Sequence, residues 1–146
     1  MAYHCGQFRN LITRVLQGVR LYSPAAVNLL LGTAAQESAF GTYLRQVGGG
    51  EALSPFQIEE LTFRDLRTRM DYICPAIRDW NFLQLEWDLR AAIVVARLKY
   101  RSIPTPLPAA DNLPGLAAYW KQWYNTPLGK GTIEQFFRNY RKYVTE

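Results

Sequence analysis

Glu37 stands where a carboxylic acid can be turned into a proton donor. It lies in the run Ala34-Ala35-Gln36-Glu37-Ser38-Ala39-Phe40-Gly41, and counting back by helical steps reaches Ala34, then Leu30 and Leu31. It therefore continues the apolar stripe of a helix. Partial burial there penalises the charged form. A helix ending near Gly41 would add the negative end of its dipole, which acts in the same direction. Both raise the pKa, as general-acid chemistry near neutral pH requires. The bland alternative is a Glu that rims the core and points its tip at water.

An acid that works together with an attacking water usually has a second carboxylate nearby to activate that water. Glu51, Glu59 and Glu60 are the nearest in the chain, and each also reads as surface charge. His4, the only histidine, stands close to the N-terminus, which argues against a Ser-His or Cys-His nucleophile pair. Cys5 and Cys74 make neither a disulfide framework nor a metal-ligand spacing, so free thiols, a reducing compartment and no metal or other cofactor are expected. Gly129-Lys130-Gly131-Thr132 has part of a phosphate-loop pattern. It lacks the upstream glycine and strand, and Thr132 reads better as a helix cap.

The elements that must position these residues are helical almost throughout. Phe8, Leu11, Ile12, Val15, Leu16 and Val19 share one helical face. Ser23-Pro24 opens the helix of Glu37, with a capping hydroxyl and proline at the first helical position. Residues 42 to 58 break the pattern with Gly48-Gly49-Gly50 and Ser54-Pro55, which predicts a small β-hairpin or loop elbow. Thr62 with Asp65 resembles a capping box, predicting a helix through about Tyr72. Asn81 is expected to cap one longer helix carrying Phe82, Leu85, Leu89, Ile93, Ala96 and Tyr100, ended by the prolines at 104, 106, 108 and 114. A short helix then holds Leu116, Tyr119, Trp120 and Trp123, whose spacing suits core packing with sugar stacking as a lesser option. Thr132 with Gln135 opens the last helix, with Ile133, Phe136, Phe137, Tyr140 and Val144 facing inward. The expectation is one all-α domain over residues 1–146 with a single non-helical elbow.

Several short motifs now fall in a telling order. Glu37-Ser38 is followed twenty residues past the Glu by Gln57-Ile58, preceded by Ala52-Leu53-Ser54-Pro55-Phe56; then come Thr62 and, much later, Tyr124-Asn125. This series, spanning residues 30 to 126, resembles the lysozyme-like lytic transglycosylases. That family has a Glu-Ser pair closing a helix, a Gly-Leu-Met-Gln-like elbow, a following Thr and a late Ala-Tyr-Asn. The Gln-Glu-Ser and Gly-Gly-Gly-x-Ala-Leu segments are also similar to small proteins encoded by tailed bacteriophages.

The resemblance implies a lysozyme-like fold and cleavage of the bond between N-acetylmuramic acid and N-acetylglucosamine in peptidoglycan. Glu37 would be the sole catalytic residue, first protonating the glycosidic oxygen and then taking a proton from the muramyl C6 hydroxyl as a 1,6-anhydro ring closes. Ser38 would steady the Glu or a sugar substituent. Gln57 and the backbone around Phe56 would hold an N-acetyl group, Tyr124 would orient Glu37, and Asn125 would support the Tyr124 loop. The chain departs from the family pattern at Ser54, where Gly is usual, at Pro55-Phe56 in place of Leu-Met, and at Thr126-Pro127 in place of Ala-Gly. Of these, Ser54 and Phe56 in the elbow favour the alternative of an inactive lysozyme-like phage structural or wall-binding protein.

Composition agrees with a folded domain. Hydrophobic residues make up 49% of the chain and charged residues 20%, which supports a core and argues against disorder. The net charge of +5 favours anionic partners such as a bacterial wall. No recognition helix rich in Arg, Asn or Gln appears, so nucleic acid is not expected as a partner. The N-terminal residues lack a signal-peptide apolar region and no run reaches membrane-spanning length. The expected setting is synthesis in a host cytoplasm, followed by action on the wall after release or within a virion, as a monomer or a particle component.

Overall fold

Two helices with almost nothing exposed organise the chain. The computed structural model describes residues 1–144, so the last two residues of the expected 1–146 domain lie outside it. Helix α1 (Cys5–Gly18) is capped by His4, whose Nδ1 accepts from the Gln7 backbone at 3.3 Å. Helix α2 (Pro24–Ser38) begins as expected, with Ser23 Oγ accepting from Ala26 N at 3.1 Å. It is buried nearly all round, from Ala26 to Ala35, the signature of a central rather than a surface helix. Helix α3 (Glu60–Arg69), α4 (Leu89–Arg101), α5 (Leu113–Tyr119) and α6 (Ile133–Tyr143) complete the set among the described residues. Helix α4 is the second central rod, buried from Ala91 through Leu98. Each fully enclosed Leu or Ile along these rods contributes about 1.5–3 kcal/mol of burial.

Helix α6 lies close on α2. Gly32 makes that approach feasible, since a Cβ there would sit 2.5 Å from the Phe136 ring and 2.9 Å from Tyr140. The capping box of α6 forms in both directions, Thr132 with Gln135, as its sequence predicts.

Two helix starts differ from expectation. Helix α3 opens at Glu60, not at Thr62, because the Glu59 carbonyl already accepts from Phe63 N at 3.0 Å. Asp65 spends its carboxylate on Arg69, one turn on, at 2.7 Å. The helix also stops at Arg69 rather than Tyr72. The single long helix expected from Asn81 is two pieces. Asn81 does cap with Gln84 in a complete capping box, but it starts a 3-10 turn, Phe82–Glu86. Asp88 then restarts the chain as α4 by accepting from Ala91 N at 3.0 Å. An aspartate with β-region backbone is a strong N-cap, and it wins over the apolar periodicity that runs through it.

The elbow is non-helical, as predicted. The two antiparallel bridges of the described residues pair Arg45 with Leu53 and Leu53 with Ile58. Leu53 and Ile58 exchange both backbone bonds, at 2.9 and 2.8 Å, closing a tight turn over Ser54-Pro55-Phe56-Gln57. Mostly helical architecture with this small β elbow is what the structure displays.

Candidate functional site

Glu37 is the penultimate residue of α2 and half-buried. Beyond it the chain must leave a central helix abruptly, and Ala39 and Phe40 both take left-handed backbone, φ 50° and 59°. Such residues cost on the order of 1–3 kcal/mol each and persist only where the surroundings fix them. Here the Phe40 ring is sealed in the core against Phe8 at 5.4 Å and Tyr143 at 5.8 Å, and its carbonyl accepts from Tyr3 N at 2.9 Å. Ser38 holds the same turn, donating to Ala34 O at 3.0 Å and accepting from Gly41 N at 2.8 Å. The resemblance gives Ser38 the role of steadying Glu37 or a sugar substituent; in the structure it is 1% exposed and pins the helix end, and neither bond goes to the Glu37 carboxyl.

The carboxyl of Glu37 opens on a cleft of about 300 Å³ lined by Glu37, Tyr43, Gln46, Val47, Ala52, Gln57 and Glu59. The elbow thus forms one wall and the end of α2 the floor. Burial pushes the Glu37 pKa from 4.5 up to about 7, while a hydrogen bond from Trp120 and the charge of Lys99 pull it partly back. Trp120 Nε1 donates to Glu37 Oε2 at 3.0 Å.

Trp120 is therefore the side chain that orients the acid, where Tyr124 was expected. The reason lies in the backbone. Residues Trp120–Asn125 continue α5 as a π-helical turn, a wider coil that often marks functional sites. It sends the Trp120 indole to Glu37 and the Tyr124 hydroxyl to the elbow, where it donates to Phe56 O at 2.6 Å. Tyr124 still adjoins the site. Burial raises its pKa well above the usual range, with the nearby Glu37 charge contributing. Its hydroxyl therefore stays a proton-bearing donor that ties the helical half to the elbow.

Phe56 does not touch the cleft. Its side chain is fully buried, 6.2 Å from the Phe8 ring, and its carbonyl is taken by Tyr124. The bulk that looks foreign in an elbow is core packing. Ser54 adopts φ 82°, a conformation suited to glycine, and its Oγ offsets the strain by accepting from Phe56 N at 3.1 Å. Gln57, at φ 51°, does reach the cleft wall while its Nε2 donates to Ser54 O at 2.9 Å.

Asn125 performs a loop-holding role at one remove. Lys121 Nζ donates to Asn125 Oδ1 at 2.7 Å, to Gly129 O at 2.9 Å and to Gly131 O at 2.7 Å. This gathers the 126–131 loop against the Trp120 ring, where a Cβ on Gly131 would lie 2.7 Å from the indole. Phe136 packs the ring at 5.3 Å. The indole that holds Glu37 is clamped on two sides.

Lys99 and Trp120 are the residues that sequence reasoning missed. Lys99, on α4, places Nζ 3.7 Å from the Tyr124 ring centroid and donates to Tyr124 O at 3.2 Å. Burial lowers its pKa, and the charges of Glu37 and Glu59 act against that. A cation over an aromatic face is held by the ring quadrupole as well. Only a lysine interrupting the apolar run of α4 signalled it, and nothing in the spacing said which carboxylate it faces. Thr62 and Trp123 fall outside the Glu37 cleft, in a neighbouring hollow that Lys99 also lines. Glu59 lines the cleft itself, Glu51 and Glu60 do not. Among the described residues, no group of three His, Cys, Asp or Glu side chains could hold a metal ion, and no helix is long and apolar enough to cross a membrane. The chain matches no family model, no curated protein and no solved structure.

Proposed function

We propose that the protein is a lysozyme-like lytic transglycosylase that cuts peptidoglycan glycan strands, with Glu37 as acid and then base. The observation that carries this reading is the enclosed Glu37 carboxyl, with a pKa of about 7 and a single side-chain hydrogen-bond donor, at the floor of a cleft beside Gln57. A carboxyl poised near neutrality can give a proton and take one back without large cost in either direction. The cleft lining is amide, phenol, carboxyl and small apolar groups. Such a surface suits hydroxyl and N-acetyl groups better than a phosphate backbone.

In the first step Glu37 gives its proton to the glycosidic oxygen and the bond to the muramyl C1 breaks. The sugar's own N-acetyl oxygen supports the cation-like carbon. In the second, the ionised Glu37 takes the C6 hydroxyl proton as O6 closes on C1. Glu37 ends protonated, and no water is consumed. The Trp120 bond and Lys99 stabilise the carboxylate between the two steps. Acting on the wall, the protein works after release from the host cytoplasm or as part of a virion.

A second reading is hydrolysis, and Glu59 favours it, since it lines the same cleft. Mass analysis of muropeptides separates the two: 1,6-anhydromuramyl ends mark the transglycosylase, reducing ends the hydrolase. No release from purified wall by the wild type, alongside wall binding, would leave the inactive binding protein as the answer.

A further inference from the structure

Arg97 lies two residues before Lys99 on α4, about 200° round the helix, and faces a different hollow. It is only 9% exposed. Its Nε donates to Leu21 O at 2.9 Å, in the turn between α1 and α2. No carboxylate among the described residues pairs with it. The ion pairs Arg45–Glu86, Arg64–Glu60, Arg69–Asp65 and Arg78–Asp71 are built from residues outside the Arg97 hollow. Neither terminal guanidinium nitrogen is sealed away from solvent. What remains accessible opens on a pocket of about 210 Å³ that Arg97 lines together with Arg101, Tyr119 and the loop Ile103–Leu107. Tyr119 braces that loop by donating to Thr105 O at 2.8 Å.

Two arginines one turn apart in a single hollow repel each other, and Arg101 adds to burial in lowering the Arg97 pKa. The C-terminal dipole of α4 offsets part of this. It does not supply acceptors for two planar donor forks. The Arg97 head group is thus held by one carbonyl on its Nε side, and its terminal nitrogens keep donors to offer on the pocket side.

We propose that the Arg97–Arg101 pocket is a phosphate site, taking inorganic phosphate or the phosphate of a small phosphomonoester. Phosphate carries close to two negative charges at neutral pH and several acceptor oxygens, which matches two guanidinium groups. A carboxylate brings half the charge. Guanidinium forks bind phosphate in bidentate geometry, which an ammonium cannot copy. The volume is below that of a drug-sized site and suits one phosphate with little attached.

Isothermal titration of the full chain with inorganic phosphate, at constant ionic strength set with sodium chloride, tests this. Saturable one-site binding at millimolar phosphate is expected. Glycerol phosphate binding in the same pocket would identify an esterified ligand, and binding of inorganic phosphate alone a free ion. Arg101→Gln alters an exposed, unpaired side chain, so the fold should survive, and affinity should fall about tenfold or more. Arg97→Lys keeps the charge but loses the fork, with a similar fall. Glu37→Gln should bind phosphate like the wild type, which keeps this result separate from the fate of the cleft. Absence of saturable binding, equal binding of acetate, or wild-type affinity in both arginine variants would overturn the assignment.

Discussion

Helix α4 carries two enclosed cations two residues apart, and their surroundings differ in one respect that matters. Burial lowers the pKa of both Lys99 and Arg97. Lys99 meets the charges of Glu37 and Glu59, an aromatic face and a carbonyl. Arg97 meets a second arginine, one carbonyl and the Tyr119 phenol, and no carboxylate among the described residues pairs with it. A buried charge answered inside the fold can tune a neighbour. On α4 this separates the two cations: Lys99 is answered by groups around Glu37, and Arg97 faces the pocket proposed above to take phosphate.

The largest effect should come from removing the acid that Lys99 answers. Glu37→Gln keeps the shape and an acceptor for Trp120, and wall-degrading activity should fall by about a hundred to ten thousand times, measured by muropeptide release. Stability should move the other way. The carboxyl ionises near 7 in the fold against 4.5 ordinarily, so the native state holds its proton more tightly than the unfolded chain. Wild-type stability is therefore undiminished below about 4.5, falls as pH rises towards 7 and levels off above, a total on the order of 3 kcal/mol. Urea denaturation at about pH 8 should find Glu37→Gln the more stable protein, with the gap closing near pH 4.

A smaller effect should follow from freeing the acid. The bond from Trp120 is the larger of the two influences that hold the Glu37 pKa down. Trp120→Phe should move the alkaline limb of the activity–pH profile upward and cost on the order of 2 kcal/mol of packing. A limb that stays in place would mean that the indole does not set the acid.

The sharpest test of the comparison is a pair of matched substitutions. Lys99→Met removes a charge that lowers the Glu37 pKa, so the alkaline limb should shift upward, less than in Trp120→Phe. Arg97→Met, two residues away, should leave the midpoint of that limb where it is. Equal shifts in the two variants would erase the distinction between the two faces of α4.

Changing Glu59 to Gln is expected to have the least effect on glycan cleavage, because the single-residue cycle uses no second carboxylate. A loss comparable to Glu37→Gln, together with reducing-end products, would replace that cycle with hydrolysis.

The local rules of the chain were open to reading in advance. Ser23-Pro24, Thr132 with Gln135 and the glycines of the elbow act within a few residues of themselves, so capping and turn chemistry place α2, α6 and the break between residues 42 and 58. The position of Glu37 on an apolar stripe near a helix end is equally local; the burial that raises its pKa is supplied by the packing around it. Where two local signals competed, as at Asp88, the periodicity concealed the break.

Tertiary packing decided everything that joins distant segments. Trp120 lies 83 residues from Glu37, and only the π-helical turn determines that its indole, rather than the Tyr124 hydroxyl, meets the carboxyl. The family resemblance implies sugar-site roles for Ser38 and the backbone around Phe56, yet the Phe56 side chain is absorbed by the core and Ser38 is used by the helix end. Lys99 and Arg97 look alike along the chain. Their roles separate because a helix turns about 100° per residue, and two positions apart they face different neighbours brought there by the rest of the fold.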